Sequence, residues 1–115
     1  MIINTENTKA QMRKGILEFC ILLIIARGKA YTMNIIKDLK KSGLIVVEGT
    51  IYPLLTRLKN SGLLDYSWQE SQSGPPRKYY ELTEKGNETL KELAQNWEEL
   101  TKSVLVLNKK YLNKK

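Results

Sequence analysis

The chain has 115 residues, enough for about one domain with a modest core. It holds no histidine and one cysteine, Cys20, which excludes His-ligated metal sites, nucleophiles that depend on an imidazole, and an internal disulfide. Nineteen lysines and arginines against twelve acidic residues give a formal charge of +7, a balance suited to a polyanionic partner.

Residues 1–9 are polar beyond the first three and read as a loose arm. From Ala10 to Ala26 the spacing of Met12, Ile16, Leu17, Phe19, Cys20, Leu23 and Ile24 predicts a helix, apolar nearly all round in its second half and so central to the core. The run Ile16–Ala26 follows Arg13 and Lys14 as in a signal peptide. Glu18 interrupts it, Arg27 and Lys29 close it, and it falls short of the roughly 20 residues a spanning helix needs. A cytoplasmic protein with no membrane partner is expected, with Cys20 a small buried thiol.

A second helix is expected over Thr32–Lys41, with Met33, Ile35, Ile36 and Leu39 inward, stopped by Ser42-Gly43. Leu44–Val47 reads as a short extended strand. The third helix is expected over Gly49–Ser61. Ile51, Leu54, Leu55 and Leu58 make one apolar stripe. The opposite side carries Gly49, Pro53, Thr56 and Asn60, flanked by Thr50, Tyr52, Arg57 and Lys59, and is short, polar and uncommitted to packing. With Thr50 as N-cap, Pro53 falls at the third helical position and costs no hydrogen bond.

After Gly62 the period becomes two: Leu64, Tyr66 and Trp68 alternate with Asp65, Ser67 and Gln69. Ser71–Pro76 is a loop by composition, and Arg77–Leu82 resumes extended structure, completing a hairpin. Tyr79 and Tyr80 point to opposite faces, one of them into the core, while Trp68 belongs to the hairpin core or its rim. Thr83 caps a last helix. Along it Leu90, Leu93, Trp97, Leu100, Val104, Leu107 and Tyr111 are spaced alternately three and four apart, a heptad seam. Some 28 helical residues span about 42 Å, longer than a compact domain of this size is wide. Such a seam needs a partner, most simply a second copy of the chain in a twofold dimer. Lys109, Lys110, Lys114 and Lys115 form a basic tail that complements the helix dipole.

The expected fold is mainly α with a small β-hairpin (α+β): a winged helix-turn-helix over 1–83, with the recognition helix near 49–61 and the wing near 64–82. A dimerisation helix and basic tail follow over 84–115. Residues 27–59 hold seven cations against two carboxylates, net +5, whereas 84–99 net −3. Positive charge thus gathers on the expected reader, whose third helix would lie in a major groove, and is not spread evenly.

The stretches MRKGILEFCILLIIARG, EGTIYPLLTRLKNSGLL and SGPPRKYYELTEKG resemble the PadR family of bacterial transcriptional regulators, in order from Met12 to Gly86. The resemblance implies a winged-helix homodimer that binds operator DNA, usually as a repressor released by a small effector. It also implies that the C-terminal helix mediates dimerisation, commonly against the partner's first helix. Where the family often opens its second helix with Gly-Tyr, this chain has Thr32-Met33. Thr50, Tyr52, Pro53 and Arg57 match positions the family uses on its recognition helix. The planar fork of Arg57 suits a phosphate or a guanine, and Arg77 and Lys78 on the wing would position the DNA backbone. Leu90, Leu93, Trp97, Leu100, Val104 and Leu107 are the expected dimer interface. Trp97 is also a candidate lining for a pocket that takes a flat aromatic effector, although dimer packing alone explains a tryptophan there.

Double-stranded DNA and a second copy are the expected partners, with no cofactor and no metal. The competing reading is a winged-helix adaptor that binds protein and not DNA, which has no need of Arg57, Arg77 and Lys78 on one face. An enzyme is excluded by the missing histidine, scattered carboxylates and lack of a glycine-rich phosphate loop.

Overall fold

Helix α1 spans Thr5–Ala26 in a computed structural model of the chain, which describes residues 5–44 and 46–113. It buries Leu17, Ile21, Leu22 and Ile25. The helix begins five residues before the expected Ala10, so of the arm expected over 1–9 the part from Thr5 is helical, and residues 1–4 lie outside the described chain. Its first turns are polar but contain nothing that breaks a helix, and Glu6 and Lys9 pair at 3.5 Å across one turn.

Strand β1 (Ala30–Tyr31) leads directly into α2 (Thr32–Lys41), whose bounds are those expected. The buried stripe is Thr32, Ile35 and Leu39, spaced i, i+3, i+7. Met33 is one residue round from that stripe and is 52% exposed instead of inward. No strand forms over Leu44–Val47 among the described residues. Leu44 and Val46 cover the core from an irregular connection, and Ile45 lies outside the described chain.

Helix α3 (Glu48–Asn60) buries Ile51, Leu54, Leu55 and Leu58, as the stripe requires. Its N-cap is Val47, whose side chain bonds nothing, and the Thr50 amide donates to the Val47 carbonyl at 3.0 Å. Thr50 is therefore inside the first turn and not the cap. Pro53 becomes the sixth helical residue, and the N–H it lacks would have met the carbonyl of Gly49, a residue exposed to water. The helix ends where the Leu63 amide donates to the Leu58 carbonyl and the Gly62 amide to Lys59, with Gly62 at φ +81°, a conformation that disfavours any side chain.

Strands β2 (Leu64–Ser71) and β3 (Gly74–Leu82) form the wing, and the sheet order is β1-β3-β2, all antiparallel. The connection is Gln72-Ser73 alone, so the loop expected over Ser71–Pro76 is mostly strand. The register slips between Gln69 and Ser71, opposite Pro75 and Pro76. A bulge sits where two residues have no N–H to give the ladder. Tyr80 is buried and Tyr79 half-buried on the other face, whereas Trp68, 63% exposed, lies outside the core on the Tyr80 face and meets Tyr66 edge-on at 6.5 Å.

Helix α4 (Glu84–Asn113) starts at Thr83, whose Oγ1 accepts from the Gly86 amide at 2.9 Å. Thr83 Oγ1 donates to the Gly62 carbonyl at 2.6 Å, and Lys85 Nζ donates to the Ser61 carbonyl at 3.0 Å. A Cβ on Gly86 would run into the Leu63 carbonyl. The start of α4 is thus pinned to the end of α3. Leu90 completes the core, and beyond Leu93 the helix leaves it. The radius of gyration is 17.0 Å against about 13 Å for a compact domain of this length, because α4 projects. No described helix is long and apolar enough to cross a membrane. The tail residues Lys114 and Lys115 lie outside the described chain.

Candidate nucleic-acid interface

The apolar stripe of α3 turns the other side of that helix outward. Thr50, Tyr52, Pro53, Thr56 and Arg57 are all exposed, and from Tyr52 to Ser61 they line a shallow open depression with Asn60. Thr50, Pro53 and Arg57 lie along one ridge at i, i+3, i+7, and Tyr52, Thr56 and Asn60 along the next. No apolar side chain of the core competes for this face. Arg57 Nη1 makes an ion pair with Glu18 Oε1 of α1 at 3.1 Å. Nothing in the sequence signals this contact, because the two residues meet only through the packing of α1 and α3 in one core.

The wing carries its cations on both sides. Trp68 pairs with Lys78 and Tyr66 with Tyr80 across the ladder, so these four share one face. The Lys78 ammonium sits 3.9 Å from the centre of the Tyr66 ring and 5.9 Å from that of Trp68. Arg77, the neighbour of Lys78 on the strand, projects to the opposite face and lies 4.6 Å over the ring of Tyr31, which packs on Tyr79 at 5.3 Å. Arg57, Arg77 and Lys78 therefore do not share one face as expected: the two wing cations flank the hairpin. Lys59, from the last turn of α3, approaches Tyr66 at 5.4 Å and links helix to wing. The roles of Glu18, Tyr31 and Tyr66 are not legible from periodicity. Alternation sets the facing of Tyr66 but not the cations it meets.

A second feature lies away from this face. Between α1 and α4 runs an apolar groove of about 510 Å³, lined by Met12, Ile16, Phe19, Leu93, Trp97 and Val104 among others. Phe19 and Trp97 stand 6.4 Å apart, tilted by 48°. Of the expected interface, Leu90 is buried in the core of the chain and Leu93 packs against it. Trp97, Leu100, Val104 and Leu107 become progressively more exposed toward the helix end, from 44% to 66%. Leu105, Val106 and Leu112, outside the heptad seam, are exposed as well. Cys20 is half-buried, and burial pushes its thiol pKa up, away from reactivity. No group of three or more potential metal-ligating side chains occurs among the described residues.

Three helices around one core, with the third followed by a hairpin whose second strand carries Arg77 and Lys78, define a winged helix-turn-helix protein. The sequence model of the Transcriptional regulator PadR-like family matches residues 21–92. The chain belongs to this family, whose members are DNA-binding transcription factors and not enzymes. Among solved structures, a PadR-like transcription factor from Bacteroides fragilis is 59% identical over 85% of this chain and 95% of its own, with a TM-score of 0.74. A PadR-like transcriptional regulator from Bacillus cereus is 43% identical over 84% of this chain and 95% of its own, with a TM-score of 0.78. Bacillus subtilis PadR, solved in complex with operator DNA, is 22% identical over 69% of this chain and 46% of its own. Its TM-score of 0.63 shows a common fold.

Proposed function

We propose that the chain acts as a homodimer that binds a pseudo-palindromic operator and represses transcription by occupancy. The observation that carries this reading is the outer face of α3. It is polar, exposed and unused by the core, and it is joined through Lys59 and Tyr66 to a wing with cations on both flanks. Residues Thr50, Tyr52, Pro53 and Arg57 enter the major groove, with Arg57 contacting a base. Arg77 and Lys78 hold the backbone on either side of the wing. The Bacillus subtilis relative bound to operator DNA supports a fold able to do this.

Residues 1–83 form the reader and 84–115 the dimerising helix. Leu93, Trp97, Leu100, Val104 and Leu107 meet a second copy, with Leu90 supporting them from within its own core. The apolar groove beside them receives part of the partner. Two recognition helices then lie about one helical turn of DNA apart. A flat aromatic effector stacking on Trp97 would act by favouring a dimer geometry whose helices miss that spacing.

The test is fluorescence anisotropy of the wild-type protein on the duplex it selects from a randomised pool, beside a scrambled duplex, at several salt concentrations. About 10³-fold preference for the selected duplex is expected. Equal, steeply salt-dependent binding to both would reduce the protein to a non-specific polycation. No binding at moderate salt would favour the adaptor reading.

A further inference from the structure

Arg57 is not presented by α3 alone. Its side chain is 67% exposed, while that of Glu18, whose carboxylate holds Nη1, is 27% exposed, the more buried member of the pair. Glu18 stands on α1 between the buried Leu17 and Phe19, which packs against the core. Gln11 and Lys14, two turns and one turn earlier on α1, line the same hollow, so Lys14 is the other charge facing the pair. We propose that Glu18 is a specificity-determining positioning residue, which fixes the Arg57 guanidinium so that its remaining donors face the DNA as an oriented fork. The proposal rests on the reading of α3 as the helix that enters the groove.

Two effects of the carboxylate combine. An unpaired exposed arginine samples many rotamers and must be ordered when it binds. A carboxylate on one terminal nitrogen does that ordering beforehand and leaves the other edge for the paired acceptors of a guanine. The same carboxylate also offsets the charge of Arg57. A lone guanidinium is drawn to any phosphate and so raises affinity for every sequence. Paired, it adds little to arbitrary DNA yet keeps its hydrogen-bonding pattern. Glu18 thus trades affinity for discrimination.

The experiment uses the duplex selected by the full-length wild-type protein, each of its single-base variants and a scrambled duplex. Wild type, Glu18→Ala, Glu18→Gln and Arg57→Ala are compared by anisotropy across a salt series. For Glu18→Ala, discrimination at one position per half-site falls about tenfold. Binding to the scrambled duplex tightens a few-fold, and the slope of log K against log salt steepens by about one. Glu18→Gln, whose amide oxygen still accepts from Arg57, regains part of the discrimination while keeping the tighter scrambled binding. Melting at fixed concentration verifies that each variant folds.

Wild-type discrimination in Glu18→Ala, with Arg57→Ala impaired, would reduce the pair to a surface ion pair and overturn the proposal. Uniform weakening on every duplex would overturn it as well, since that is the signature of damaged structure. If Arg57→Ala changes nothing, Arg57 leaves the reading face and takes Glu18 with it. A wild-type protein that selects no sequence overturns the functional reading itself.

Discussion

The Lys78 ammonium lies 3.9 Å from the centre of the Tyr66 ring, and the same ring receives Lys59 from the end of α3 at 5.4 Å. Two like charges, one on the wing and one on α3, thus share one aromatic ring, whose electron-rich face attracts both. Tyr66→Leu keeps most of the apolar packing and removes that attraction. Exposed cation–π contacts are worth about 0.5–1 kcal/mol, so affinity for all duplexes should fall about 2–5-fold with little change in melting temperature. Anisotropy on selected and scrambled DNA checks this, and unchanged affinity would separate Tyr66 from the interface.

Because Arg77 and Lys78 project from opposite faces of β3, each should meet its own stretch of backbone. Arg77→Ala and Lys78→Ala should each weaken binding to selected and scrambled duplexes alike. The slope of log K against log salt should drop by about 0.9 for each phosphate that is no longer neutralised. A salt series on both variants measures it. A loss confined to one base position would mean that the wing reads sequence.

Arg57→Lys keeps the charge and discards the planar fork. Binding to scrambled DNA should stay near wild type, while the selected duplex loses about 1–3 kcal/mol and base preference relaxes at one position per half-site. If lysine sustains full discrimination, Arg57 contacts a phosphate and not a base edge.

Much of this arrangement is written locally. The bounds of α2 follow from its apolar spacing and the Ser42-Gly43 stop, and Thr83 announces α4 because a threonine cap needs only its own turn. The outer face of α3 is legible because the inner stripe is so regular. What the sequence hides is non-local. Strand β1 is two residues long and exists only because Ala30 and Tyr31 pair with Tyr80 and Tyr79. The start of α3 is shifted because Val47 caps it with no side-chain signal, which also misplaces Pro53. Pro75 and Pro76 suggest a loop, yet the bulge they form against Glu70 lets the strand continue. The partner of Arg57 is on another helix, and no periodicity within α3 points to it.

The junction of α3, β2 and α4 rests on two small residues. Thr83→Ala removes the cap on the Gly86 amide and the bond to the Gly62 carbonyl, a cost of about 1 kcal/mol. Gly86→Ala forces a methyl against the Leu63 carbonyl. Because backbone must move to admit it, the cost should be about 1–3 kcal/mol. Each kcal/mol corresponds to about 4 °C in a chain of this size. Melting must be compared at one protein concentration, since any association would raise the apparent stability. A Gly86→Ala variant that melts with wild type would show that α4 can slide relative to Leu63.

The exposed end of α4 makes the last prediction. Trp97 is held on one side by Phe19 of the same chain and borders a groove that runs on to Val104 and Leu105. A helix of 30 residues is about 45 Å long, and its outer turns carry Leu100, Leu107, Tyr111 and Leu112 into solvent. In a dimer these side chains supply the buried anchors, and large aromatics near the middle dominate such interfaces. Trp97→Glu places a charge there without touching the buried residues around Ile21, Ile35 and Leu55. Sedimentation velocity should give dimers for wild type and folded monomers for the variant at micromolar concentration. The monomer should also bind the selected duplex far more weakly, because the two half-sites are no longer engaged together. A variant that remains dimeric would move the interface off this part of α4.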